Sequence, residues 1–219
     1  MSDSSKAEEM LFTRAGLDRN KVQGLVEGAL SGCDDGELFL EYKQSEALAW
    51  DDGRLKSASF DTSQGFGLRA VSDESTGYAH ASELSEAAIK RASDTVQSVR
   101  QGRSGTMADG PTGTNQSLYI DDNPLNDVPF GEKVKLLEEI DAYARSSDDR
   151  VRQVSASLAG SWQVVEILRA DGSRAGDVRP LVRFNVSVVL GEGDRQETGS
   201  FGTGGRTLYA DYLKPESWK

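Results

Sequence analysis

Apolar and polar residues follow two different periods along this chain, and the periods change in the same order twice. After Asp18, apolar residues recur every three or four positions up to Gly32, which predicts a short amphipathic helix. From Leu38 to Trp50 they alternate with polar residues, which predicts a long strand with one buried face. The step Asp52-Gly53 then favours a tight hairpin turn into a returning strand at Leu55–Asp61.

Two shorter strands and a second helix complete this first half. The strands are predicted at Gly67–Val71 and Thr76–Ala81, on either side of a polar turn. Ser82 is the predicted N-cap of a helix that continues to about Arg100. The segment Gln101–Phe130 is rich in Gly, Ser, Thr, Asn and Pro, and we interpret it as a crossover loop that ranges from ordered to mobile.

The second half of the chain opens with a helix predicted at Glu132–Ser146, and long strands again follow. Apolar residues alternate over Val154–Val164 and then change parity, which predicts either a β-bulge or burial on both faces. Asp171-Gly172 supplies another hairpin turn, after which a last strand is expected to continue towards Ser200. The strand that returns from this turn has two faces, an apolar one (Val182, Phe184, Val186, Val188, Leu190) and a polar one (Arg183, Asn185, Ser187).

These elements predict an α+β fold in which an antiparallel sheet with long β-hairpins is covered by about three helices. Both halves of the chain have the order helix, long hairpin and further strand, which indicates an internal repeat. We expect one domain over residues 1–200, with the long loop at 101–130. Residues 201–219 lack a closing helix cap, and we interpret them as a truncated linker, with exposed apolar side chains, towards a missing domain.

The net charge and the lack of long apolar segments limit the partners and the location that we expect for the protein. The chain has 25 Lys and Arg residues against 36 Asp and Glu residues, a net charge of −11, which gives no electrostatic support for binding nucleic acid. The first nine residues contain neither a basic nor an apolar leader segment, and no stretch approaches the roughly 18 apolar residues of a membrane span. We therefore expect a cytoplasmic protein that contacts neither nucleic acid nor a membrane.

Few residues are suited to catalysis or metal binding. Cys33 and His80 are the only cysteine and histidine in the sequence, which is too few for a zinc site built from such ligands. A Cys–His dyad would need these same two residues, and a plain thiol and a strand histidine are the simpler interpretation. Paired acidic residues are abundant, but they lie in predicted turns, where Asp hydrogen-bonds to the backbone.

Two glycine-rich stretches are poor candidates for nucleotide binding. Gly65–Ala70 matches the spacing of a dinucleotide-binding turn, but a polar segment precedes it and another strand follows, instead of a buried strand and a helix. Gly202–Thr207 lacks the spacing of a P-loop. A strand or β-bulge that contains glycine explains the first stretch better, and a flexible turn explains the second.

A cluster of charges at Asp177–Arg183 leaves two interpretations open. Two guanidinium groups and a carboxylate flank Pro180 at a predicted strand start. They form either a structural ion-pair corner or a contact to a peptide carboxylate or a neighbouring domain.

Several segments, taken in order, resemble the N-terminal half of TldD in the TldD/PmbA (TldE) family of zinc metallopeptidases, once described as modulators of DNA gyrase. The resemblance extends from about Leu17 to Arg206. The segments are Gln64–Ala70, Thr76–Ala79, Arg150-Val151, Val154–Gly160, Asp171-Gly172, Asp177–Arg183, and Gly202 with Gly204–Arg206.

The resemblance implies an α+β domain that precedes a catalytic domain with a His-Glu-x-x-x-His helix and a distal Cys as zinc ligands. That zinc motif does not occur in this sequence, so the resemblance carries over no catalytic residue and implies zinc only for the full-length family. The chain is then a truncated protein, a split-gene product or a stand-alone relic of the family. The candidate substrate-binding or assembly residues are Arg69, Asp177, Arg179, Arg183, Gly204, Gly205 and Arg206.

Two functions follow as hypotheses. In the first, the chain is the non-catalytic part of a TldD-like metallopeptidase, guides an extended peptide along strand edges, and assembles with a catalytic half or a related TldD/PmbA subunit. In the second, it is a stand-alone peptide-binding or scaffold domain without peptidase association.

Overall fold

The computed structural model describes residues 2–100, 106 and 118–219, and the helices and strands given below lie in these ranges. The α-helices in these ranges are α1 (Ser2–Ala7), α2 (Arg19–Leu30), α3 (Glu86–Val96) and α4 (Phe130–Ser147). A π-helical segment at Glu8–Thr13 continues α1, and short 3-10 turns lie at Gln97–Arg100, Pro124–Asn126, Tyr209–Tyr212 and Pro215–Ser217. No helix within the described ranges is long and apolar enough to cross a membrane.

The strands of the described residues form a six-stranded antiparallel sheet. They are β1 (Asp35–Asp51), β2 (Arg54–Ser72), β3 (Ser75–Ala81), β4 (Val151–Arg169), β5 (Arg174–Glu192) and β6 (Arg195–Gly205). Their order is β3-β2-β1-β4-β5-β6, so β3 and β6 are the edge strands. The predicted α+β fold with long hairpins is confirmed, and a helix followed by three strands occurs twice, at α2 to β3 and at α4 to β6.

The hairpin turns have the backbone conformation that their sequences favour. Asp52 and Gly53 have φ values of +49° and +82°, which match the type I′ turn that follows the twist of the flanking strands. Gly172 has a φ of +79° in the turn between β4 and β5. Most residues with a β-carbon are strained at φ values near +80°, which explains why glycine occupies positions 53 and 172.

The chain divides into two compact units, each made of three segments. Unit 1 contains residues 1–43, 63–118 and 163–178, and unit 2 contains residues 44–62, 119–162 and 179–219. The strands β1, β2, β4 and β5 each contribute residues to both units. The single boundary expected at residue 200 stays a prediction, although β6 continues past it to Gly205.

Unit 1 contains a core of helices and strands that is held by a buried ion pair. The carboxylate of Asp18 caps α2 by accepting hydrogen bonds from the backbone N–H groups of Asn20 and Lys21, as its position in the sequence predicts. Arg19 donates to both carboxylate oxygens of Glu166 at 2.5 and 3.0 Å, and the Glu166 side chain is 3% exposed. Burial raises the pKa of Glu166, although the charge of Arg19 opposes this shift.

Unit 2 contains a second core in which α4 and the residues after β6 pack on the strands. Tyr209 is buried in this core, and Tyr212, Leu213 and Trp218 pack against it. The buried ammonium of Lys133 lies 4.4 Å from the centre of the Tyr209 ring, 2.6 Å from Glu46 Oε1 and 3.0 Å from the carbonyl oxygen of Leu125. The residues after β6 are therefore anchored in the core, and they do not form the exposed apolar tail that the sequence suggested.

Several element boundaries differ from the sequence predictions. Ser85, not Ser82, caps α3 by accepting a hydrogen bond from the N–H of Ala88. The two strands predicted on either side of the polar residues 61–64 are one continuous strand, β2. Near the end of β4, Val164 and Glu166 are buried on one face of the strand, and Val165 between them is buried on the other. Burial on both faces therefore explains the change of parity. The predicted crossover loop lies mostly outside the described residues.

Candidate functional site

The edge strand β6 forms one wall of a surface depression of unit 2. It pairs antiparallel with β5 in a register that places Val182 opposite Gly205 and Glu192 opposite Arg195. Most of its residues are exposed, and in the sheet that the described residues form, one side of the strand has no neighbouring strand. Half of the backbone N–H and C=O groups of such a strand face outward, available to another extended chain.

Glycines in β6 leave room for polar side chains of β5. Gly202 is paired with Asn185, whose Oδ1 atom would lie 2.7 Å from a β-carbon placed on the glycine. Gly204 is paired with Arg183, and a β-carbon there would overlap the carbonyl oxygen of Val182 and lie 3.3 Å from Arg183 Cγ. The side chains of Asn185 and Arg183 therefore occupy the space above the two glycines.

Two adjoining cavities follow β5 and β6, and we call them together the β6 groove. They share Asn185 and Gly202 and have volumes of about 360 and 430 Å³. The first is lined by Ala49, Trp50, Asp51, Lys56, Ser155, Ala156, Ser157, Asn185, Val186, Ser187, Ser200, Phe201 and Gly202. The second is lined by Leu181, Arg183, Asn185, Gly202, Thr203, Gly204, Gly205 and Arg206.

The charges of the β6 groove differ between its two cavities. In the first cavity, Asp51 accepts hydrogen bonds from Gln153 Nε2, Lys56 Nζ and Ser155 Oγ at 2.8 to 3.0 Å, which lower the pKa of Asp51 to about 2. Its negative charge is thus balanced by the Lys56 ammonium. The second cavity is lined by two guanidinium groups, Arg183 and Arg206, and by no described carboxylate.

Arg206 is held in place at the end of β6. Its guanidinium donates from Nη1 to the carbonyl oxygen of Pro180 at 3.4 Å and lies 5.0 Å from the centre of the Tyr119 ring. Planar stacking of this kind suits arginine and leaves most of its N–H donors available.

The structure brings together four of the seven candidate residues, namely Arg183, Gly204, Gly205 and Arg206. Arg179 lies on β5 in unit 2 and Asp177 on β5 in unit 1, and neither lines the described groove. Arg69 lies in unit 1. The binding or assembly roles of all seven stay predictions.

Arg69 belongs to an ion network between strands of unit 1. Its Nε atom donates to Glu37 Oε1 at 2.7 Å and its Nη2 atom to Asp35 Oδ2 at 2.6 Å, while Arg169 also binds Asp35. The hydrogen bonding of Arg69 to the Glu37 carboxylate, which accepts from it, is the largest cause of the raised pKa of Arg69. Partial burial acts to raise the pKa of Asp35. The hydrogen bonds that its carboxylate accepts from Arg69, from the backbone of Gly36 and from Arg169 together outweigh burial, so the pKa of Asp35 is lowered.

The residues of this chain do not fit a zinc site. Cys33 is buried, whereas His80 is exposed on β3, where its ring centre lies 5.6 Å from that of Tyr78. Within residues 2–100, 106 and 118–219, no three His, Cys, Asp or Glu side chains are grouped so that they could hold a metal ion. We therefore derive no chemical step through a metal in this chain.

Sequence reasoning missed the contributions of Asn185 and Asp51 to the groove. A signal for Asn185 was present, because it alternates with Arg183 and Ser187 on the polar face of its strand. The position of Asp51 next to a turn gave no such signal, since aspartate is common in turns for other reasons.

Models of one family match most of the chain. Residues 36–98 match the PmbA/TldA metallopeptidase domain 1, and residues 123–216 match the PmbA/TldA metallopeptidase central domain. Together these ranges cover more than half of the sequence. The chain therefore belongs to the PmbA/TldD metallopeptidase family and corresponds to its N-terminal half, as the resemblance indicated.

Curated relatives are longer than the matched region. A metalloprotease TldD homolog of Haemophilus influenzae is 37% identical over 177 residues, which are 79% of this chain and 36% of the relative. A homolog of the same name from Buchnera aphidicola subsp. Schizaphis graminum is 31% identical over 207 residues, 94% of this chain and 43% of the relative. The chain thus spans less than half the length of these relatives.

Solved structures share the fold. A modulator of DNA gyrase from Bacteroides thetaiotaomicron superposes with a TM-score of 0.70 at 14% identity, over 90% of this chain and 46% of that one. TldE from Thermococcus kodakarensis superposes with a TM-score of 0.64 at 16% identity, over 88% of this chain and 45% of that one. At these identities the likeness concerns the fold alone.

Proposed function

We propose that this chain is the non-catalytic, substrate-guiding and assembly part of a TldD-like zinc metallopeptidase that acts on unfolded or small peptides. The observation that supports this proposal is the glycine-rich edge strand β6 beside an open groove. An extended peptide adds to such an edge through main-chain hydrogen bonds, so that binding depends little on the sequence of the peptide.

The dimensions of the β6 groove suit a short extended peptide. Six residue steps separate Ser200 from Arg206, which corresponds to about 20 Å at the rise of a strand, roughly 3.3 Å per residue. The backbone N–H and C=O groups of a folded protein are mostly paired within it, whereas those of an unfolded segment are free to pair along the whole groove. The proposed substrate class is therefore unfolded peptide.

Catalysis is assigned to polypeptide outside this sequence. Family membership and the coverage of less than half of each relative support this assignment, because the zinc ligands that the resemblance implies do not occur in this chain. The proposed partners are a catalytic half and a related TldD/PmbA subunit. A cytoplasmic location and the lack of contact with nucleic acid or membranes stay predictions.

Hydrogen exchange of backbone amides tests the guiding role. The chain is incubated with an unfolded heptapeptide and with a matched peptide in which alternate backbone amides are methylated on one edge. We expect the first peptide to slow exchange in β6 and the second to have a weak effect, because it lacks donors for strand pairing. Unchanged exchange in β6 at saturating peptide, or equal effects of both peptides, would contradict the proposal.

A reconstitution tests the assembly role. The chain is mixed with a separately expressed TldD-like catalytic polypeptide and with a related subunit, and co-elution and cleavage of an unfolded peptide are measured. We expect cleavage only in the mixture, and we expect a chelator to abolish it. Peptide binding without co-elution would favour the stand-alone binding domain, and chelator-insensitive cleavage by this chain alone would overturn the assignment.

A further inference from the structure

Seven arginines in the described part of the chain are paired with carboxylates, whereas Arg14, Arg54 and Arg152 are not. Among the described residues, an Asp or Glu oxygen lies within 4 Å of the guanidinium of Arg19, Arg69, Arg91, Arg145, Arg150, Arg169 and Arg195. Arg183 and Arg206 have no such partner in the described part of the chain, and both line the same 430 Å³ cavity. With a net charge of −11, acidic side chains are plentiful elsewhere in the sequence.

The geometry points to a carboxylate site at this end of the β6 groove. We propose that Arg183 and Arg206, with the amide of Asn185 beside them, bind a carboxylate of the extended peptide. This inference rests on the proposed function, because the peptide must first reach β6. It adds a chemical preference, for an anionic group at one position, to binding that is otherwise directed at the backbone.

Both guanidinium groups are suited to this role by what surrounds them. Arg206 is already fixed by Pro180 and the Tyr119 ring, so binding a ligand costs little further side-chain entropy. Arg183 lies across Gly204, where the absence of a β-carbon brings it towards the outer strand. A guanidinium group can offer two parallel N–H donors to the oxygens of a carboxylate.

Two sources share this chemistry, a C-terminal carboxylate and the side chain of Asp or Glu. A terminal carboxylate beside Arg206 would place the rest of the peptide along β6 towards Ser200 and Asp51, which makes the peptide parallel to β6. A side-chain carboxylate is compatible with either direction. The experiment below distinguishes the two sources.

The test uses the whole chain and heptapeptides that carry an uncharged fluorophore at the N-terminus. Apart from the carboxylate that is varied, these peptides contain no charged group. The peptides end in a free carboxylate, end in an amide, or end in an amide with a single Glu or Gln near the C-terminus. Binding is measured by fluorescence anisotropy at low and moderate salt. The protein variants are Arg183→Gln and Arg206→Gln, with Arg195→Gln as a control that removes the same charge elsewhere on β6.

We expect at least one carboxylate peptide to bind about tenfold more tightly than its neutral counterpart at low salt, and the ratio to shrink as salt is added. Arg183→Gln and Arg206→Gln should bring the ratio close to one and leave the binding of the uncharged peptides unaffected, whereas Arg195→Gln should preserve the ratio. A gain for the free terminus alone identifies the terminal carboxylate, and a gain for Glu over Gln identifies a side chain.

Equal affinities for charged and neutral peptides, measured on the unaltered protein, would overturn the carboxylate site and leave the proposed function intact. A preference that survives both arginine substitutions would also overturn it, because the charge would then be recognised elsewhere. Failure of every heptapeptide to bind would instead overturn the guiding function, and the carboxylate site with it.

Discussion

The arginines of unit 1 and those of the β6 groove in unit 2 have opposite surroundings. Arg19 and Arg69 each contact carboxylates at hydrogen-bond distance, whereas Arg183 and Arg206 line a cavity that contains no described carboxylate. The chain has more acidic than basic residues, so unpaired arginines are not explained by a shortage of partners. The first pair forms ion pairs within unit 1, and the second pair is the one that we propose binds a ligand.

This comparison shows why the residue type alone does not identify a site. Glu166 is buried, and without Arg19 its charge would be left in a poorly solvated place. Nothing comparable depends on Arg183, which is exposed on the polar face of β5. Substitutions should therefore separate the two classes clearly, by loss of stability in one and loss of binding in the other.

The largest effect is expected for Arg19→Gln. Removing one partner of a buried ion pair typically lowers the free energy of unfolding by about 3–5 kcal/mol. The loss should be largest at neutral pH and smaller in acid, because the pKa of Glu166 is already raised and rises further without Arg19, so that the folded state takes up a proton. Urea titrations at several pH values measure this, and a loss that does not change with pH would contradict it.

Gly204→Ala should have the next largest effect. A β-carbon at this position meets the backbone of Val182 and lies 3.1 Å from Arg183 Cα, and overpacking of this kind costs about 1–3 kcal/mol. Gly199→Ala is the matched control in the same strand, because a β-carbon there meets nothing within 4 Å. Thermal unfolding of both variants measures the difference, and equal losses would show that the close approach at Gly204 is not what constrains it.

A smaller effect is expected for Arg69→Gln. Its side chain is 36% exposed, so solvent screens the network with Glu37 and Asp35, and about 1 kcal/mol is expected for such partly exposed pairs. Raising the salt concentration should reduce the difference between the variant and the original protein. A loss as large as that of Arg19→Gln would break the distinction between buried and exposed pairs.

The smallest effect on stability is expected for Arg183→Gln. An exposed side chain without an ionic partner among the described residues contributes within about 0.5 kcal/mol of zero. Unfolding by urea under the conditions used for Arg69→Gln checks this expectation. A clear loss of stability would assign Arg183 to the structural class and remove it from the ligand site.

The fold could be predicted from the sequence wherever one face of an element is buried. Leu40 and Tyr42 alternate with Glu41 and Lys43 in β1, and both are buried. The stretch of β2 between the predicted strands, residues 62–66, could not be predicted, because residues 61–64 are polar and exposed and have no hydrophobic alternation. Hydrogen bonds to neighbouring strands define that stretch, and single-sequence patterns do not report them.

The candidate site was predictable only in part, because sequence separation hides spatial neighbours. Arg183 and Gly204 are 21 positions apart, and the register of β5 with β6 brings them opposite each other. The family resemblance suggested both residues but not their pairing. Only the three-dimensional structure shows that the absence of a side chain at Gly204 makes room for Arg183.

The distribution of unit 1 over three chain segments has a consequence for the order of biosynthesis. A ribosome releases residues 1–43 and 63–118 early, but the last segment of unit 1, residues 163–178, emerges only after most of unit 2. Strand β1 must therefore wait for β4, its neighbour in the sheet, while more than a hundred residues are translated. In the interval β1 has β2 as its hairpin partner but exposes its other edge to chaperones and proteases, and unit 1 is completed before the segment that contains β6 has left the ribosome.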